Sequence, residues 1–245
     1  MIKHTHTPPE HSARAAAARR AEWAIPAALI ALTMVPLVAG VARLVSLAAG
    51  AAVTPDNARF FAAPAPVVIH IVGSLLFCLV GAFQFAPAFR RRSPAWHRNA
   101  GIVLAAAGIA AALSGLWMAQ FYPLAPHLQG PLLYGFRLAV GVGMVASIAL
   151  GWLAMRRRNL AAHRAWMMRG YAIGQGAGTQ VIVTLLWVLA FGAPGDLSRD
   201  LLMGAAWLIN LAVAELIIRR RPRRSRAQRP QAAGLSPSAG SAPRP

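Results

Sequence analysis

The sequence predicts an all-α fold, an integral membrane bundle of six transmembrane helices with both termini cytoplasmic. Three observations carry this. Six long apolar stretches run through the 245 residues. Hydrophobic residues make up 57% and charged residues only 13%, where soluble domains carry about 25% charged. The net charge of +19 is gathered in clusters between the apolar stretches. In a soluble protein such a charge points to nucleic acid. Here the apolar runs between the clusters point to a membrane instead.

The stretches are roughly 24–46, 66–89, 100–121, 132–155, 170–192 and 201–218, and an acidic residue enters only the last. The uncharged part of the first, Ala24 to Ala42, would be about 28 Å long as a helix, enough to cross a bilayer core. In lipid every backbone group must be satisfied within its own segment, so each run becomes a helix. Pro26 stands near the start of the first helix, where it is tolerated, and Pro36 stands where a kink is expected. A basic segment ahead of an apolar run also suits a signal peptide, but this run is long for one. It reads as an uncleaved anchor. Residues 1–22 are expected to be a disordered cytoplasmic segment, 23–218 the six-helix domain, and 219–245 a disordered basic tail. Histidines 4, 6 and 11 of the N-terminal stretch "HTHTPPEH" could bind metal loosely, but in a segment expected to be disordered no specific site is expected of them.

Orientation follows from Lys and Arg. With the N-terminus inside, all but four of the 25 basic residues face the cytoplasm, the exceptions being Arg43, Arg59, Arg137 and Arg199. Asp56, Asp196 and Asp200 also fall outside. That is the positive-inside pattern of a multi-pass bacterial inner-membrane protein. Within it "RRRSPAWHR" at 90–98 and "RRRNLAAHR" at 156–164 repeat three arginines and a His-Arg pair at one spacing. Each triplet ends a helix on the cytoplasmic side, where it attracts anionic lipid at about 1 kcal/mol per basic residue. The two segments join hairpins of the same orientation, the arrangement of a parallel repeat.

The candidate site residues are the polar ones that apolar runs do not need. His97 and His163 begin helices at the same depth, with small-residue stripes behind them: Gly101, Ala105, Gly108, Ala112 and Gly115 in one, Gly170, Gly174 and Gly178 in the other. Such stripes let helices approach closely in lipid, and they also leave room for a flat ligand. His70 lies about one turn inside the outer end of the second helix, and Gly73, Phe77, Gly81 and Gln84 share its face. An ionisable residue within a span is costly and stands as a functional candidate. Arg43 and Arg137 lie near its depth, with Gln120, Tyr122 and Tyr134 at the same outer level. Glu215 is placed to pair with Arg219 one turn on, and Asn210 to hydrogen-bond between helices. Trp23 and Trp96 are placed as interfacial anchors. The single cysteine, Cys78, excludes a disulfide framework and any Cys-based metal centre.

Several short patterns resemble the domain-of-unknown-function family 2306 of bacterial membrane proteins. They are His70-x2-Gly73, Gln84–Phe85, "HRxxG" from His97 to Gly101, Ser114–Gly115, "HRAWMMRGYA" from His163 to Ala172 and "WLINLAVAE" from Trp207 to Glu215. The resemblance covers about residues 65–218. It implies a membrane bundle without implying an activity. It also marks His70, His97, Arg98, His163, Trp166, Arg169, Asn210 and Glu215 as positions to examine.

Three functions fit these residues. In the first, the bundle is a redox protein linked to haem b or a quinone. His97 and His163 would ligate the iron, with Arg98, Arg164 and Arg169 on the propionates and His70 as an outer site residue. His70 itself has no ligand partner unless His127 folds in from its loop. In the second, the bundle carries a small molecule, with His70, Arg43 and Arg137 forming an outer polar pocket and the His-Arg elements an inner gate. In the third it is a non-catalytic assembly or lipid-interacting protein whose His-Arg pairs cap helices at the headgroups. Hydrolysis finds no residue set. The "GQGAG" at 174–178 imitates a phosphate loop, but it lies inside a span with no preceding strand. No specific nucleic-acid site is needed.

Overall fold

The computed structural model describes residues 10–124 and 129–220, with side chains from residue 22 onward except at 88. His4, His6, the side chain of His11, His127 and the basic tail beyond Arg220 lie outside the described residues. The elements are α1 (Glu10–Ala48), α2 (Ala58–Ala62), α3 (Pro64–Leu75), a π turn (Leu76–Val80), a 3-10 turn (Phe83–Phe85), α4 (Pro87–Arg92), α5 (Pro94–Phe121), α6 (Pro131–Arg156), α7 (Leu160–Gly174), α8 (Gly176–Phe191) and α9 (Asp196–Arg220). There is no strand among the described residues. Five stretches, Glu22–Ala48, Pro64–Phe85, Pro94–Phe121, Pro131–Arg156 and Asp196–Arg220, are long and apolar enough to cross a bilayer. With α7 and α8, bent by 47° at Gln175, counted together as one broken span, there are six.

The apolar surface is on the outside. Leu189 and Phe191 are 75% and 74% exposed, and many other large hydrophobics of the spans are exposed with them. No soluble monomer presents apolar area on that extent, whereas hydrocarbon is the solvent such a surface requires. The interior is built from small residues, so that helix backbones can approach. Phe77 is wedged between α5 and α7: a Cβ added at Gly108 would stand 2.8 Å from its ring, and one at Gly174 2.9 Å. Apart from Gly101, which faces open space, the glycines of the two stripes are packing positions, as lipid-embedded helices require.

Successive spans alternate, so the bundle has two ends. Arg90–Arg92, Arg156–Arg158 and Arg219 lie at one, the arginine-rich end, while Asp56, Arg59, Tyr122, Arg137 and Asp200 lie at the other. The two arginine triplets do not sit alike. Arg90–Arg92 occupy a separate short helix, α4, after a break at Ala86, whereas Arg156–Arg158 run straight off α6. There Arg158 takes φ 56° and Asn159 caps α7 by accepting from the Ala162 N–H at 3.0 Å.

Two further features were not anticipated. The helical path of α1 extends back to Glu10, into the stretch expected to be disordered. The run "ARAAAARRAE" at 13–22 accounts for it, since Ala, Arg and Glu are strong helix formers. The fifth span, expected as one helix, is broken at Gln175. Gly174, Gly176 and Gly178 weaken helix there, and close neighbours require them. A Cβ at Gly176 would collide with Trp207 Nε1, and one at Gly178 with the carbonyl of Leu32.

Candidate functional site: a cavity ringed by the six spans

Two of the short patterns, His70-x2-Gly73 and Ser114–Gly115, meet at His70. Its Nδ1 lies 2.8 Å from the carbonyl of Ala111 on α5. A carbonyl only accepts, so Nδ1 carries the proton and Nε2 of the neutral ring is left as an acceptor. Gly73, one turn on, is what brings α3 so near: a Cβ there would stand 2.8 Å from Ala107 O and 3.3 Å from Ala111 N. Ser114 donates to the same Ala111 carbonyl at 3.0 Å. Gly115 leaves the space that the imidazole fills, since a Cβ would come within 3.1 Å of its Cε1. His70, Gly73, Ser114 and Gly115 are thus one device for setting a histidine ring between two helices.

That ring borders a cavity of about 530 Å³, within the usual size of small-molecule sites. Every span contributes to its wall: Thr33 from α1, His70 and Ser74 from α3, Ala111 from α5, Arg137 from α6, Gln175 and Gln180 at the bend and on α8, and Trp207 from α9. Most of the wall is apolar, with Ile71, Leu75, Leu116 and Met144 among it. Arg59, Phe60 and Tyr122 line it toward the end opposite the arginine clusters. Arg59 stacks on Phe60 at 4.5 Å, and its Nε is buried without a hydrogen-bond partner. Arg137 donates to Gln129, which in turn donates to Ala119 O at 3.1 Å. Tyr122 donates to Ala63 O at 2.6 Å.

The floor is held by the two irregular turns. Tyr171 donates to the carbonyl of Cys78 at 2.6 Å, which also receives the Gly81 N–H at the end of the π turn. Gln175 donates to the Tyr171 oxygen at 2.8 Å, and its own Oε1 lies 3.2 Å from the Thr33 hydroxyl. Broken helices survive at membrane depth only where polar partners or a cavity receive the freed groups, and here both do.

Of the expected site residues, His70 and Arg137 share the cavity. Arg43 lies beside it, stacked on Phe60 at 4.5 Å. His97, His163, Arg98, Arg164, Arg169, Gln84, Asn210 and Glu215 do not line it. His97 starts α5, about 21 to 27 Å by helix rise from the residues that hold His70. It is close enough to His163 for their charges to interact, and its Nδ1 is buried without a partner. His163 Nδ1 lies 2.9 Å from Gly151 O, closing the α6–α7 turn. Arg98 and Arg164 are exposed. Arg169 pairs with Glu215 at 2.5 Å and stacks over Trp166 at 4.5 Å, which locks α7 to α9. Glu215 meets Arg219 only at 3.7 Å, so the expected i,i+4 pair is the weaker of two. Asn210 accepts from Thr179 at 2.8 Å and donates to Ala172 O at 3.1 Å. Gln84 Nε2 is buried without a partner.

Arg59 and Gln175 were missed. Arg59 precedes the second apolar run and reads as loop, and Gln175 sits inside a glycine run that reads as continuous helix. The signal for Gln175 was present as polarity within a span.

A helical bundle with a lipid-facing apolar exterior, a glycine-packed interior and a central cavity with polar groups is a polytopic membrane protein. A family model described as "Predicted membrane protein (DUF2306)" matches residues 67–218. The chain belongs to that family. No curated protein and no solved structure matches it.

Proposed function

We propose that this protein is a carrier for a small amphipathic molecule, with the cavity at His70 as its binding site. The carrying observation is that all six spans ring one cavity and that one of them is broken in its wall. Carriers of this kind bind at the meeting of helices and move by rocking one group of spans against another around the site. A bend at Gln175, held by side-chain hydrogen bonds instead of a continuous ladder, supplies a place to flex. The positive-inside pattern would set the arginine-rich end in the cytoplasm on anionic lipid, and the end of the cavity lined by Arg59 and Tyr122 toward the outside. The redox alternative, with haem between His97 and His163 or a quinone in the bundle, has less behind it. Neither histidine borders the cavity, and Arg169 is engaged by Glu215.

The test is a thermal-stability screen of the purified full chain in lipid nanodiscs against small amphipathic compounds. A compound at a hundredfold excess over its Kd stabilises by about 2.7 kcal/mol. Ser74→Phe fills the cavity from α3 and should remove that stabilisation while leaving the ligand-free midpoint within a few degrees. Stabilisation that survives Ser74→Phe would contradict the site.

A further inference from the structure

We infer that the cavity receives the anionic head of a small organic molecule, a carboxylate, phosphate or sulfonate on an apolar body, held between Arg59 and Arg137. This rests on the carrier reading and adds the chemistry of what is carried. Both guanidiniums line the cavity, and among the described residues neither is in an ion pair. Arg59 leaves a buried Nε without a partner, and it shares the Phe60 ring with Arg43, a second cation at 4.5 Å from the same centroid. Arg137 is bonded to a neutral amide.

The described carboxylates at this end are engaged by other groups or lie out on the surface. Asp196 and Asp200 hold Arg199 at 3.6 and 3.2 Å. Asp200 is within electrostatic reach of Arg137, but its second oxygen receives the Leu133 N–H at 3.3 Å. Asp56 is exposed on the α1–α2 loop. Among the described residues no Asp or Glu lines the cavity. Deeper in, Ala177 and Gly178 of the first turn of α8 enter the wall, so the positive end of that 16-residue helix adds to the same field. Cations around one low-dielectric space repel one another and lack their hydration. An anion between them relieves both. The apolar wall from Ile71 to Met144 is what the body of the molecule would touch.

The experiment uses the cavity as its own detector. Cys78 is the only cysteine of the chain, so Ser74→Cys in a Cys78→Ala background places one thiol a turn from His70. The full-length variant in nanodiscs is treated with an anionic methanethiosulfonate (ethylsulfonate) or a cationic one (ethyltrimethylammonium). Rates are referred to those of the same reagents on a free thiol. The expected result is a preference for the anion of about tenfold or more from two nearby unpaired cations. It should fall toward the free-thiol ratio in Arg59→Gln and Arg137→Gln, and hold in Arg59→Lys and Arg137→Lys, which keep the charge. Octanoate from water or oleate in the bilayer should slow the reaction, and whichever does so identifies the source. Slowing by neutral octanol equal to that by octanoate, or a labelling ratio indifferent to Arg59 and Arg137, would overturn the inference while leaving the carrier reading standing. No labelling by either reagent would remove the reachable cavity, and the carrier reading with it.

Discussion

His70 gains its position from residues that have no chemistry of their own. Gly73 brings α3 against α5, Gly115 makes room for the ring, and Ser114 shares the Ala111 carbonyl that orients it. Gly115→Ala should therefore push on the imidazole at 3.1 Å and cost about 1–3 kcal/mol by overpacking. Ser114→Ala removes a hydroxyl bond to the carbonyl three residues back on its own helix and should cost about 1 kcal/mol or less. Chemical denaturation in mixed micelles would measure both. A Gly115→Ala protein as stable as the parent would mean the ring is not held as described. The sequence singles out His70 as a lone imidazole in an apolar run, and a hydrogen bond to a carbonyl, as Ala111 supplies, is the plainest reason for it to be there. Its tautomer was not legible, since that depends on which carbonyl α5 presents.

Between elements, the residues that made the family recognisable mostly join helices. Arg169 and Glu215 tie α7 to α9, Asn210 bridges α8 to the end of α7, and His163 closes the α6–α7 turn. A double-mutant cycle on Arg169 and Glu215 should return a coupling of about 0.5–3 kcal/mol, the range for residues in contact. The cycle on Arg219 and Glu215 should return less, since Arg219 is 80% exposed and stands 3.7 Å away. Equal couplings would place Glu215 at the surface and not between helices. The sequence offered only the i,i+4 partner, because a contact 46 positions apart has no local signature. The break at Gln175 was hidden for a related reason. Apolar content marks a span as long enough, and says nothing of whether it is straight. The glycines that permit the bend are also ordinary packing residues, and what decides is the approach of Trp207 and Leu32 from other helices.

For the molecule as a whole, the class could be read from the chain because the bilayer demands it: spans must be helical, long and apolar, and these are. The cavity could not be read, since it is space left by six helices, and only their packing defines it. Two of its cationic residues come from different elements, Arg59 on α2 and Arg137 on α6. As proposed, this space is a binding site that opens away from the arginine-rich end. The most direct measurement is the reaction of Ser74→Cys, in the Cys78→Ala background, with a membrane-impermeant thiol reagent applied to right-side-out or inverted vesicles, with lipid-facing Leu189→Cys as control. Ser74→Cys is expected to react from the outside of right-side-out vesicles and to be protected in inverted ones, with Leu189→Cys inert in both. Reaction only from the arginine-rich side would reverse the opening, and no reaction from either side would contradict the cavity itself.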